Sequence, residues 1–242
     1  MILRRSYIRV IRSRAGVAVV LSIAFGGWGA QALAANATRG EAAAVAASIN
    51  LRRGDLPRVY LEQRFHANSV EARENAQLDR CFHSVPVSEA LLVAQSPTFT
   101  TAIGDSLSYS PPPGSPTVSS DVEVWPSPAL AQRHLVPDAR AIACDEAVFP
   151  TPKGVTVTAT TLPPVVHGAD RAWAYRFTAR SSQFPPPSHR EYVDLLGFVY
   201  GQVQVGIEIN TELVAPELFP EQRLAKLLLA RTRNALRDSP PA

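Results

Sequence analysis

The chain has 242 residues, 24 lysines and arginines against 21 aspartates and glutamates, a net charge of +3, and only two cysteines. That length suits one domain with a substantial core, and two cysteines are too few for a small disulfide-built scaffold. Five of the basic residues fall in the first 14 positions, leaving 19 basic against 21 acidic, a net of −2, which removes the concentrated basic charge that nucleic-acid binding needs.

Residues 1–34 are expected to be a signal peptide and 35–242 a single exported domain. Arg4, Arg5, Arg9, Arg12 and Arg14 precede an apolar stretch from Ala15 to Trp28, interrupted by Gly26 and Gly27. Ala32-Leu33-Ala34 then supplies the small-x-small pattern that a signal peptidase cuts after. The apolar run falls short of the roughly 20 residues of a comfortable span, so a membrane is expected to hold the chain only through this leader, if it is left uncleaved. Arg4-Arg5-Ser6-Tyr7-Ile8-Arg9 fits both an ordinary basic n-region and the twin-arginine export signal.

Export to an oxidising compartment makes a Cys81–Cys144 disulfide the expected pairing, the alternative being two packed thiols. A bridge closing 62 intervening residues would stabilise the fold by about 4 kcal/mol in the chain-entropy model. Two thiolates without paired histidines fall short of the four ligands of a structural zinc site, and no metal or cofactor is expected.

In chain order, alanine-rich Arg39 to Asn50, with Val45 and Ile49 at helical spacing, predicts a short helix. Asp55-Leu56-Pro57 turns the chain, and Asn68 with Glu71 marks a capping box for a second helix over 69–82. Strands are predicted over 98–109 and 121–125. Ser127-Pro128 opens a helix, with serine as N-cap and proline in the first position. Val155–Thr160, Trp173–Thr178 and Val203–Ile209 alternate apolar with polar residues, which predicts one buried and one wet face. Val193 to Val199 is apolar on both sides and is expected to be central, turning through Tyr200-Gly201-Gln202 into the next strand. A last helix over 220–237 starts at Pro220, with Glu217 and Glu221 at its positive end and Arg231, Arg233 and Arg237 at its negative end. The sum is an α+β domain: a two-layer sandwich of about six antiparallel strands with helices packed mainly on one face.

Gly104-Asp105-Ser106-Leu107 spells the motif of the GDSL esterases and lipases, in which the serine is the nucleophile. Such a serine needs a base within reach and donors for the developing oxyanion. The family draws the base from an Asp-x-x-His pair, but the residues three before His134, His167 and His189 are Ala131, Pro164 and Pro186. The Gly-x-Asn-Asp block is missing too, so the tetrapeptide is read as a chance match and no catalytic residue is assigned. No glycine-rich phosphate loop or dinucleotide fingerprint occurs.

Asp55-Leu56-Pro57, Cys81, Ser96-Pro97-Thr98-Phe99, Ser120-Asp121-Val122-Glu123-Val124 and the closing hairpin and helix together resemble a class of exported actinobacterial domains. The class includes small secreted or lipid-anchored envelope proteins and the extracytoplasmic sensor domains of mycobacterial receptor Ser/Thr kinases. The resemblance spans most of residues 45–237 and implies an antiparallel sheet flanked by helices, with a cleft for a ligand. The kinase sensors carry two disulfides; this chain offers cysteines for one and has no kinase domain. The expected function is a non-enzymatic, sensor-like envelope module that binds a small molecule, lipid or envelope protein. The alternatives are an esterase using Ser106 and a structural or assembly partner. Any ligand contacts are expected near the proline clusters and on an open face around Arg176 and Arg180.

Overall fold

The computed structural model describes residues 39–63, 89–101, 116–134, 154–182, 190–211, 215–216 and 218–237. The leader with Ala32 and Ala34, both cysteines, Ser106 and the helix expected over 69–82 lie outside the described residues. Three helices are described: α1 (Arg39–Ile49), α2 (Pro128–His134) and α3 (Leu218–Arg237). Eight strands are described: β1 (Tyr60–Gln63), β2 (Leu92–Gln95), β3 (Thr98–Thr101), β4 (Thr117–Val124), β5 (Thr156–Thr161), β6 (Arg171–Arg180), β7 (Arg190–Tyr200) and β8 (Val203–Thr211). Seven run in the order β1-β3-β4-β8-β7-β6-β5, β2 pairs with β4 beside β3, and every pairing is antiparallel. The α+β class and the antiparallel sheet stand as expected, with two strands more than the six predicted. The additions, β1 and β2, are four residues each, too short for alternation to register.

Local signals set the boundaries. Ser127 Oγ accepts a hydrogen bond from the Leu130 N–H at 3.2 Å, so α2 begins on the serine cap with Pro128 in its first turn. Gly201, with φ of +59°, turns β7 into β8 through two residues, since Tyr200 already pairs with Val203. In α3, Pro220 sits within the first turn, where its missing N–H has no intrahelical partner to lose.

The cross-strand register assigns the two faces. Val118, Val122, Val124, Val203, Val205, Ile207, Ile209, Leu196 and Phe198 share one face and form the main core with Ala42, Val45, Ala46 and Ile49 of α1. Leu224, Ala225, Leu228, Leu229 and Leu236 of α3 complete it. We call this the helix face. Complete burial of a side chain such as Leu228, at 0% exposure, stabilises by about 1.5–3 kcal/mol. The end of α1 is tied to the sheet by polar bonds. Asn50 Nδ2 donates to the Ala94 carbonyl at 3.0 Å, and Ser120 Oγ donates to Asn50 Oδ1 at 2.8 Å. Arg231 of α3 holds Asp55 through two bonds of 2.7 and 2.6 Å and also donates to the Asn50 carbonyl.

The other side, the far face, departs from expectation. The polar positions in and just before β8 were predicted to be wet, yet Gln202, Gln204 and Glu208 are all buried, as are Asp121 and Glu123 of β4. The helix α2 packs at one end of this face, where Trp125, Ala131, Trp173 and Val199 make a second apolar cluster. β5 departs the other way, being exposed along nearly its whole length, Ala159 included, although its alternation predicted one buried face.

Candidate functional site

The far face is built around one cross-strand row. Asp121 on β4 stands opposite Gly206 on β8, Gly206 opposite Gly197 on β7, and Gly197 opposite Trp173 on β6. A glycine inside a strand commonly marks the close approach of another group, and both glycines here have one. A Cβ added to Gly206 would collide with the Asp121 carboxylate, and one added to Gly197 would collide with the Trp173 ring. The tryptophan lies over one glycine and the aspartate leans over the other. Glu208, two residues beyond Gly206 on the same face, completes an acidic pair with Asp121.

Gly197→Ala is expected to destabilise more than Gly206→Ala. Its new methyl would also come within 2.6 Å of the Val205 carbonyl oxygen, which belongs to the backbone and cannot swing aside. The expected loss is about 1–3 kcal/mol or more for Gly197→Ala, read as a shift in the denaturant midpoint. Equal losses at both positions would show that the tryptophan and backbone contacts are not what limits the site.

The polar groups of this face divide into two sets. In the first, Glu123 Oε2 accepts from Trp125 Nε1 at 3.2 Å and from Gln204 Nε2 at 2.9 Å. His134 Nε2 lies 3.6 Å from the same oxygen, with the histidine ring 4.5 Å from that of Trp125. Glu123 and His134 are 1% and 0% exposed, and together they pin α2 to the end of the sheet. Gln202 extends this set by donating to the Trp125 carbonyl at 3.0 Å.

The second set is not satisfied. Asn210 Nδ2 donates to Glu208 Oε1 at 2.6 Å. Glu208 Oε2 and both carboxyl oxygens of Asp121 are buried without a hydrogen-bond partner. Burial pushes the Asp121 carboxyl up to about 8, outweighing the pull of its own backbone N–H. Burial does the same to Glu208, also to about 8, assisted by the charge of Asp121 and opposed by the bond from Asn210. A carboxylate is costly in a dry interior, so the proton stays on well past the ordinary range. At neutral pH the pair is held largely in the neutral form, able to donate as well as accept, and a cation brought beside it would draw the protons off. Among the described residues, no three or more His, Cys, Asp or Glu side chains are grouped to hold a metal.

The places that the sequence singled out are elsewhere. Arg176 is not on an open face: it lies on the helix face, donating to both oxygens of Asp194 at 2.7 and 2.5 Å and to the Pro216 carbonyl at 2.8 Å. It anchors the chain ahead of α3 to the sheet. Arg180, at the end of β6, is exposed. A shallow groove of about 440 Å³ is lined by Tyr200, Ala230, Arg233, Asn234 and Arg237. Its arginines are already engaged, Arg233 with the Gly168 carbonyl and the Tyr200 ring, Arg237 with Asn234. The negative end of α3 also disfavours an anion there. Asp121 and Glu208 were missed because their alternation reads as a solvent-facing row. The one signal that could have found them is Gly206 in the middle of a strand otherwise rich in branched residues.

Comparison of the chain with protein-family models and with curated proteins gave no match.

Proposed function

We propose that this chain is a non-enzymatic, exported envelope protein of sensor-like type, and that it binds a small molecule at the Asp121–Glu208 pair. The observation that carries this reading is that Asp121 and Glu208, side by side on one face, hold three buried carboxyl oxygens without a hydrogen-bond partner, whereas Asp194 and Asp55 each have both oxygens held by an arginine; Glu221, at the start of α3, is the other described acid with buried oxygens so left. A buried polar group left unpaired costs about 1–3 kcal/mol, and buried polar groups in folded proteins are overwhelmingly paired. A ligand with N–H donors, such as an amine, a guanidinium or an amide, offsets that cost; an acyl chain does not. The donors this site calls for favour a polar small molecule over a lipid. Delivery to the envelope is supported by the leader and its Ala32-Leu33-Ala34 motif.

Native mass spectrometry of the full chain purified from envelope extracts is expected to find a retained basic small molecule, lost in Asp121→Asn and Glu208→Gln. A panel of amines and guanidinium compounds is expected to raise the melting temperature of the wild type and not of these variants. If no species is retained and the panel moves wild type and variants alike, the site is a structural acid pair. Turnover of p-nitrophenyl esters that disappears in Ser106→Ala would instead establish the hydrolase.

A further inference from the structure

We propose that the small molecule held at Asp121 and Glu208 carries a guanidinium, seated on the Asp121 carboxylate beside the Trp173 ring. This rests on the ligand reading above and narrows it to one class of cation. The fold itself treats buried carboxylates in this way. Asp194 has both oxygens held by the Arg176 guanidinium at 2.7 and 2.5 Å, and Asp55 has both held by that of Arg231 at 2.7 and 2.6 Å. Glu221, whose oxygens lack a donor, has Asp194 and Arg176 as charged neighbours. Asp121 is 1% exposed, and no described arginine or lysine bonds to either of its oxygens. It is a buried carboxyl of the same kind, to which the described chain brings no guanidinium.

Donor geometry, permanence of charge and setting each favour this cation over an ammonium. Glu208 Oε1 is taken by Asn210 Nδ2, so Glu208 offers Oε2 alone, whereas Asp121 offers both oxygens of one carboxyl. Two parallel N–H bonds from a planar fork match that carboxyl. Further N–H groups of the same cation remain for Glu208 Oε2 and for Asn210 Oδ1, which is also buried without a partner. An ammonium is a point charge and makes no such fork. It also gives up its proton readily when buried, so beside a neutral acid pair it enters as the uncharged amine. A guanidinium keeps its charge and drives a proton from the pair into solvent. The setting suits its flat shape. The Asp121 carboxylate lies over Gly206 and the Trp173 ring over Gly197, neighbours in one cross-strand row. Adjacent strands lie about 4.8 Å apart, inside the roughly 6 Å reach of a cation–π contact.

Titration calorimetry of the full chain with butylguanidine, pentylamine and butyltrimethylammonium separates the possibilities. Butylguanidine is expected to bind about tenfold tighter than pentylamine, the effect of buried acceptors that the amine leaves unmet. Butyltrimethylammonium, charged but without an N–H, is expected not to bind. Asp121→Asn should abolish the preference, leaving guanidine and amine equally weak. If amine and guanidine bind the wild type equally and both are lost in Asp121→Asn, the guanidinium assignment falls and the ligand reading stands. A preference that survives Asp121→Asn removes the acid pair as the seat, and binding of none of the three probes overturns the assignment and the ligand reading together. The comparison among probes needs only the wild type, so it decides the assignment even where Asp121→Asn fails to fold.

Discussion

Arg176→Ala is expected to destabilise the fold by about 3–5 kcal/mol, the cost of removing one partner from a buried ion pair. Asp194 is 0% exposed and its two oxygens are held by Arg176 at 2.7 and 2.5 Å, a bidentate geometry with planar complementarity. Without the guanidinium the carboxylate stays behind in the core under α3. The second bond, to the Pro216 carbonyl, ties the chain ahead of α3 to the sheet and is lost as well. Chemical denaturation checks the size. The double variant Arg176→Ala with Asp194→Asn removes the stranded charge, so it should recover part of the loss. Arg231→Ala, whose partner Asp55 is more exposed at 9%, should cost less than Arg176→Ala. If the two arginine variants lose equally, burial of the acid is not what sets the penalty.

The stability of the protein is expected to fall as pH rises across the neutral range, the reverse of a protein held mainly by surface carboxylate pairs. Asp121 and Glu208 are pushed up to about 8. Glu221, buried near the start of α3, is pushed up to about 9 by its burial and then by the neighbouring Asp194, against the pull of Arg176. All three bind their protons more tightly folded than unfolded. Their contribution is therefore complete below the ordinary carboxylate range, near 4, and is lost as pH climbs through about 8 to 9. Each tenfold gain in proton affinity on folding corresponds to about 1.4 kcal/mol, which makes the decline measurable by denaturation. Asp55 acts the other way. Its burial raises the carboxyl, but the bonds from Arg231 and the Arg52 N–H outweigh it and hold it below its ordinary value. Its contribution is present above the unfolded range and lost in acid. The optimum should thus lie on the acid side of neutrality, above the point where Asp55 gains its proton. Urea midpoints across pH test this: Glu208→Gln and Glu221→Gln should each flatten the decline. A midpoint that rises from pH 5 to 8 would show that the three acids ionise freely in the native state.

The pH behaviour and the proposed ligand are linked through the same carboxyls. A cationic group bound at Asp121 and Glu208 favours their ionised form, so it should pull protons off the pair and lower the pH at which they titrate. Ligand-bound protein should accordingly lose less stability on the alkaline side than the free form. Glu221, on the helix face, has no part in that site and sets the slope that remains.

Much of the architecture was legible in the chain itself. Alternation in Val155–Thr160, Trp173–Thr178 and Val203–Ile209, the Ser127-Pro128 cap, the Tyr200-Gly201-Gln202 turn and the amphipathic last helix are local signals. The described strands and helices follow them to within a few residues. Those signals are carried by neighbours in sequence, which is why they survive without knowledge of the tertiary fold. The short strands β1 and β2 escaped, since four residues give too few repeats for a period to show.

The candidate site was not legible, for a definite physical reason. Alternation reports that the two sides of a strand differ in polarity, and it leaves open whether the polar side meets water. Gln204, Gly206 and Glu208 were assigned to solvent on that ground, and so was Arg176 on β6. In the folded chain the first three are buried with Asp121 and Glu123, and the arginine is committed to Asp194. Sequence alone determined the strands, their caps and turns and the polarity of each face, because those depend on residues close together along the chain. Only the tertiary structure decided which polar face would be enclosed, which acids would be given partners and which left without. Those outcomes depend on groups such as Asp121 and Glu208, or Arg176 and Asp194, that come together only when strands distant in sequence align in register.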